Sequence, residues 1–431
     1  MFGSYFFDDI FSSVSNLFSH PESLELGWNQ ENYGFYASGY SFLCVFGGLI
    51  ICGILLDMYG VRVVGSIFVT MMTVGAGVIL YALLSGKSPA ESAKIAFVGK
   101  MFFGLGSEIA GVAVTRSIAK WFKGRNVALA MGLHLAIARL GTAAALIFSP
   151  MIVNSMIPSG TIPEQYSLAA TASPAFVGLV LLLVGMVLWA IFVAMDLRYD
   201  KITGTYEEKG DIKEENQFRF SDIFKVLGNP RFIMIALLCV FFYCCIISFK
   251  KFGTAILIPR FDMDMDSAKW MLSLIPFFTV IFTPLFGAFV DKVGKATTWM
   301  ITGAGLVFAA HLIILFAPQG VAFFGYFAIA LLGIGYSLVP SAMWPSVPKI
   351  IPEKNLGTAF SLIYWIQNMG LLSVPLIIGH VFENSSDEMQ AAINSEIVFS
   401  LLGVVAIVVS ILLFRSSRKH PELGLDDKAN L

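Results

Sequence analysis

Apolar residues in this chain collect into runs of bilayer-spanning length, separated by short polar segments. A helix needs about 20 mostly apolar residues to cross the hydrocarbon core. Runs of that kind predict spans near 32–56, 63–84, 94–119, 126–153 and 173–195. After a polar stretch, further spans are predicted near 230–258, 267–290, 297–317, 320–350, 356–382 and 395–414. The opening MFGSYFF reads as the tail of one more helix, ending at Asp8 and Asp9, so the chain is expected to begin inside its first span. With that helix counted, Glu108 lies on the fourth span and Arg139 on the fifth.

Lysine and arginine in short loops set the orientation, since they are retained on the cytoplasmic side. Arg62, Lys120, Lys123, Arg125, Lys292, Lys295, Lys349, Lys354, Arg415, Arg418 and Lys419 fall on one side. The charged stretch after Asp196 joins them, whereas the opposite loops hold only Lys87, Lys94, Arg260 and Lys269, with Lys250 and Lys251 nearby. The chain therefore divides into an N-terminal bundle (1–195), a cytoplasmic linker (196–229), a C-terminal bundle (230–414) and a cytoplasmic tail (415–431).

Composition supports a membrane protein: 57% of residues are hydrophobic and only 13% charged, about half the charged share of a soluble domain. The net charge of −1 gives no hint of a nucleic-acid partner. Cys44, Cys52, Cys239, Cys244 and Cys245 all sit inside apolar runs without metal-ligand spacing, so they read as small buried residues. No phosphate-binding glycine loop, nucleophile–base set or metal cluster stands out. Neither an enzyme nor a cofactor is expected.

The chain also repeats itself. Gly53-x-x-x-Asp57-x-x-Gly60-x-Arg62 returns as Gly287-x-x-x-Asp291-Lys292-x-Gly294-Lys295. Gly104 and Gly106 match Gly333 and Gly335, Asn126 matches Asn355 and Gly141 matches Gly370, each pair 229 positions apart. Such duplication marks repeat-built transporters. The motif belongs on a cytoplasmic turn, where glycines permit the reversal. Its aspartate is expected to cap a neighbouring helix and pair with arginine between the two halves, a contact that forms in one state and breaks in another.

Length, duplication, linker and turn motif together resemble the major facilitator superfamily. Phe103-Gly-Leu-Gly-Ser-Glu108, Trp121-Phe-Lys-Gly124, Ala138-Arg-Leu-Gly141, Ala342-Met-Trp-Pro345, Pro352-Glu-Lys-Asn-Leu-Gly-Thr-Ala359 and Ile366-Gln-Asn-Met-Gly370 resemble, more narrowly, the branch containing the lysosomal dipeptide carrier. Phe2-Gly-Ser-Tyr-Phe6 is similar to the end of that branch's first span. The resemblance implies an all-α membrane protein of two six-helix bundles related by a pseudo-twofold axis. It also implies that Glu108 and Arg139 match residues implicated in binding a peptide's amino and carboxyl ends.

A charged side chain at the centre of a membrane helix costs about 2.5–3.5 kcal/mol even on lenient scales, so each needs a partner or a water-filled cavity. Glu108 lies fifteen residues before Lys123 and Arg139 sixteen after it, which places both at similar depth on antiparallel helices. They either pair as a structural lock or frame a site, Arg139 receiving a carboxylate and Glu108 an ammonium. The repeat sets Asn368 opposite Arg139 and Ser337 opposite Glu108. Gln367, Asn368 and Trp344 are thus expected to close over the rest of the ligand. His134 and Tyr243 are further candidates, each also readable as packing, which a lone histidine more often is. Lys100 is open between cavity and packing, and Lys251 either snorkels or attracts an acidic group. Tyr36, Tyr40 and Trp365 read as packing. Pro340, Pro345 and Pro348 are expected to interrupt the helix around Trp344.

These observations predict a secondary transporter of dipeptides or similar zwitterions working by alternating access, with uniport as one mode and coupling to an ion left open. The alternatives are an organic or inorganic anion carrier and a non-transporting membrane receptor. A monomer in the plasma membrane is expected, or in the inner membrane of a bacterium, its partners being a small-molecule substrate and lipid.

Overall fold

The computed structural model describes residues 1–121, 127–157, 166–203, 220–352 and 356–428. Eleven of the helices among them are long and apolar enough to cross a membrane. A short helix α1 (Phe2–Asp8) and a 3-10 segment (Ser12–Ser19) lead into α2 (Gln30–Leu43) and α3 (Leu49–Leu84). Next come α4 (Pro89–Trp121), α5 (Val127–Ser155) and α6 (Leu168–Thr203), then the short amphipathic α7 (Phe220–Leu227). The chain closes with α8 (Pro230–Phe261), α9 (Met265–Val293), α10 (Ala296–Phe316), α11 (Ala322–Ile350), α12 (Leu356–Glu383) and α13 (Glu388–Lys419). The helices before α7 pack mainly on one another, as do those after it; α2 against α12 and α5 against α9 join the two bundles. Residues 204–219, the centre of the expected linker, and 122–126, the turn used to compare the depths of Glu108 and Arg139, lie outside the described residues.

The duplicated turn motif works through its second glycine. Gly60 has φ 76° and ψ 167°, which breaks α3 into the end of one span and the start of the next. Its repeat, Gly294, has φ 72° and sits between α9 and α10. Only a residue without Cβ adopts such angles without strain. The partners of the two turns differ from expectation. Arg62 Nε donates to Asp196 Oδ2 at 2.5 Å, and its Nη2 pairs with Asp200; both acids lie on α6 of the same bundle. At the second turn, the backbone N–H of Thr297 donates to Asp426 of the tail at 2.9 Å, so Asp426 rather than Asp291 caps α10. Asp291 is exposed. Gly53 and Gly287 lie within helices; the side chain of Asp57 lies outside the described part.

One expected break is missing and one unexpected break is present. Pro340, Pro345 and Pro348 do not interrupt α11, which stays helical from Ala322 to Ile350. Each proline removes one backbone donor, and in a membrane bundle neighbouring helices and serine side chains supply the compensation. The span expected at 32–56 is instead interrupted at Cys44–Gly48, where Phe46 and Gly47 leave helical geometry. The loosened carbonyl of Val45 accepts the indole N–H of Trp365 on α12 at 2.6 Å. Trp365 is therefore a bridge between bundles rather than simple packing.

Small residues set the helix spacing where α3 meets α4. A Cβ on Gly75 would lie 2.6 Å from both the Gly99 carbonyl oxygen and the Phe103 nitrogen, whereas one on Gly77 would meet nothing within 4 Å. Gly75→Ala is expected to destabilise the protein by about 1–3 kcal/mol in a detergent melting experiment. Gly77→Ala, on the same helix, is expected to be neutral or slightly stabilising.

Candidate functional site

A cavity of about 1250 Å³ lies between the two bundles. Its lining runs from Asp8 and Lys251 down to Leu56, Thr115, Leu135, Ile223 and Phe360, close to the basic-loop side. At the other end the bundles touch. The Cα atoms of Gly379 and Gly34 come close enough that a Cβ on Gly34 would lie 3.2 Å from Gly379. Tyr33 donates its hydroxyl to Lys251 O at 2.9 Å, Asn29 donates to Glu383 at 2.6 Å, and the hydroxyls of Ser15 and Thr254 are 2.9 Å apart. The cavity therefore opens toward the side of the basic loops, the inner side by the expected orientation, and is shut at the opposite, outer end.

Glu108, Arg139, His134, Tyr243, Lys251, Trp344, Gln367 and Asn368 all line this cavity. Among the described residues Glu108 and Arg139 make no ion pair with each other. Glu108 accepts the Tyr40 hydroxyl at 3.0 Å. Arg139 Nη1 donates to the Tyr336 hydroxyl at 2.8 Å, with its guanidinium 4.8 Å from that ring's centre. Tyr336 meets Tyr243 edge-on at 5.8 Å, and the Trp344 indole donates to the Tyr243 hydroxyl at 3.1 Å. Among the described residues both charges thus have only neutral hydroxyl partners, and both face the cavity. A structural lock would have joined them.

The second bundle contributes neutral groups at the same cavity. Asn368 is 2% exposed; its amide donates to Tyr364 O at 3.0 Å, while its Oδ1 has no hydrogen-bond partner. Gln367 accepts a weak bond from Cys239 Sγ at 3.6 Å. Ser41 Oγ, Ser248 Oγ and His134 Nε2 also line the cavity as buried polar atoms without a partner. Buried polar atoms are normally satisfied, so this group of orphans marks where a polar ligand would make its contacts.

The sequence reading missed the closed end of the cavity. There Asp8 lies 2.8 Å from Lys100 Nζ and 3.1 Å from Lys251 Nζ, and Asp9 lies 2.6 Å from Lys250 Nζ. These pairs tie α1 to α4 and to α8 across the bundles. The available signal was arithmetic: three intramembrane lysines require acids, and Asp8 and Asp9 are the acids that end the first helix. Tyr336 was legible through the repeat, which sets it opposite Ser107 and next to the equivalent of Glu108. The reading also missed His311 on α10, whose Nδ1 lies 2.8 Å from Glu396 on α13 and Nε2 3.1 Å from Cys245 O. That pair is fully buried and away from the cavity, a tie within the second bundle.

A family model described as Major Facilitator Superfamily matches residues 1–264 and 244–429. The lysosomal dipeptide transporter MFSD1 of Gallus gallus is 28% identical over 323 residues, covering 74% of this chain and 68% of that protein. Its Homo sapiens counterpart is 26% identical over 385 residues, covering 89% of this chain and 78% of that protein. Among solved structures, the nucleoside transporter NupG aligns with a TM-score of 0.67 at 14% identity, covering 96% of this chain and 97% of the other. A likeness at that identity speaks to fold alone.

The shut outer end can be checked directly. In a Ser15→Cys, Thr254→Cys double variant, mild oxidation is expected to join the two introduced thiols, because the native hydroxyls are 2.9 Å apart. Peptide mass spectrometry would detect the link. Its absence would mean that the bundles do not meet there.

Proposed function

The chain belongs to the major facilitator superfamily, and from that premise we propose that it carries dipeptides or similar small zwitterions across its membrane by alternating access, as a uniporter. One observation carries the reading: Glu108 and Arg139 line the same cavity, unpaired with each other and, among the described residues, with only tyrosine hydroxyls as their side-chain partners. A carboxylate fits the bidentate fork of Arg139, and an ammonium fits the acceptor oxygens of Glu108. In this reading Gln367, Asn368 and Trp344 bind the peptide link and side chains from the other bundle. His134 and Tyr243 complete the wall. The dipeptide activity named for the MFSD1 relatives supports the same substrate class.

Alternating access would then consist of opening the contacts at the outer end while the cytoplasmic side closes. The turns at Gly60 and Gly294 are proposed as the inner hinges, with Gly53, Asp57, Arg62, Gly287 and Asp291 as the gating motif around them. Arg62, held here by Asp196 and Asp200 of its own bundle, would be free to exchange partners as the inner side closes. The proposed bundles are 1–195 and 230–414, followed by the tail 415–431 and joined by 196–229, whose first residues, to Thr203, continue α6 and stay packed with the first bundle. We propose a monomer in the plasma membrane. The relatives named as lysosomal make an organelle membrane the alternative, which fractionation of producing cells would decide.

A second reading, an anion carrier, rests on Arg139 alone, with Glu108 only orienting its surroundings. Thermal stabilisation of the purified protein separates the two. Dipeptides are expected to raise the melting temperature, and Glu108→Gln and Arg139→Ala should each weaken binding by about 10- to 150-fold, the loss of one charged hydrogen bond. Asn368→Ala should weaken it less, by about 3- to 10-fold for a neutral bond. Stabilisation by simple anions, lost only with Arg139→Ala, would replace the dipeptide reading. An unaltered affinity in Asn368→Ala would remove the second bundle's proposed share.

A further inference from the structure

The charges around the cavity do not balance. Among the described residues, the charged side chains lining it or in ionic contact with its lining comprise three carboxylates, Asp8, Asp9 and Glu108, and four cations, Lys100, Lys250, Lys251 and Arg139. Each lysine has a carboxylate within 3.1 Å. Lys100 is in addition enclosed by the rings of Tyr36, Tyr40 and Phe103, with its Nζ 4.9–5.8 Å from their centres. Asp8 is shared between Lys100 and Lys251, so the unmatched positive charge resides at the closed end. Protonation of Glu108 would only enlarge the excess.

While the cavity faces the cytoplasm, water and counter-ions screen this charge. Alternating access passes through a state shut at both ends, in which an uncompensated charge is desolvated at considerable cost. A dipeptide with a neutral side chain brings no net charge and leaves the excess as it is. A basic side chain adds to it, whereas an acidic side chain cancels it. The site offers that acid a contact: Lys251 lines the cavity and shares its carboxylate, and one turn earlier on α8 the fully buried Ser248 Oγ lines the same wall without a partner.

Resting on the dipeptide reading above, we propose that Lys251 and Ser248, opposite Asp8, form a charge-reading subsite that favours dipeptides with an acidic side chain over neutral ones, and neutral over basic. The substrate's side-chain carboxylate takes Lys251 over from Asp8, which keeps Lys100. Because the Asp8–Lys251 pair also ties the bundles at the outer end, that exchange loosens the outer closure as it selects the substrate.

The test is competition for Ala-Ala uptake into liposomes containing the full chain, using Ala-Glu, Ala-Gln and Ala-Lys as competitors. Ala-Glu is expected to inhibit at about tenfold lower concentration than Ala-Gln, and Ala-Lys only at higher concentration. Lys251→Gln removes the excess charge and should bring the Glu-to-Gln ratio close to one. Asp8→Asn enlarges the excess and should widen that ratio, so the two variants move one readout in opposite directions. Melting curves of both confirm folding, and the ratio in the unaltered protein tests the proposal without either. Equal inhibition by all three peptides, or a ratio unmoved by both variants, would overturn the subsite while leaving the dipeptide reading intact. If Ala-Ala were not taken up and no dipeptide bound, the dipeptide reading and the subsite would fall together.

Discussion

An ionised side chain inside a bilayer must find a counter-charge, a set of polar groups or a path to water, and that requirement organises this molecule. Lys100, Lys250 and Lys251 are answered by Asp8 and Asp9. Arg260 donates to the carbonyls of Ile314, Leu315 and Ala317, and Glu396 meets His311. Glu108 and Arg139 are different. Among the described residues they are met only by the hydroxyls of Tyr40 and Tyr336, and they face a shared cavity. The contrast between charges that are answered within the protein and charges that are left facing the cavity singles out the proposed binding pair.

The same requirement explains how the bundles are held together. Ion pairs at Asp8 and Asp9, hydroxyl contacts at Ser15 and Thr254, and the Gly34–Gly379 approach all lie at the outer end of the interface. At the inner end Arg62 is satisfied inside its own bundle, and the tail residue Asp426 binds the turn after Gly294. Cross-bundle ties therefore concentrate on the side where the cavity is closed. A duplicated fold supplies the near-symmetric frame; the charges that distinguish its two sides break the symmetry.

Much of this was legible in the sequence because hydrophobic length and glycine placement are local signals. Eleven apolar runs correspond to eleven long helices among the described residues. Gly60 and Gly294, picked out by the repeated motif, both turn the chain with positive φ. The cavity residues were legible because charge inside an apolar run is rare, and the repeat aligned Asn368 with Arg139. What could not be read was partner choice, which depends on tertiary geometry. Nothing local says that Asp8 reaches both Lys100 and Lys251, or that Asp426 caps α10. The proline rule failed at α11 for a related reason: a proline's cost depends on what surrounds the helix, and Pro340, Pro345 and Pro348 are accommodated without a break.

The central claim is that one cavity reads the two ends of a zwitterion with two different residues. The most direct measurement is a binding cycle with Ala-Ala, N-acetyl-Ala-Ala and Ala-Ala-amide on the unaltered protein, Glu108→Gln and Arg139→Ala. The account predicts that blocking the amino end weakens binding to the unaltered protein and to Arg139→Ala but matters little in Glu108→Gln. Blocking the carboxyl end should show the reverse dependence, mattering little only in Arg139→Ala. If both blocked peptides lost affinity equally in every variant, or bound as well as Ala-Ala, Glu108 and Arg139 would not be the end-reading pair.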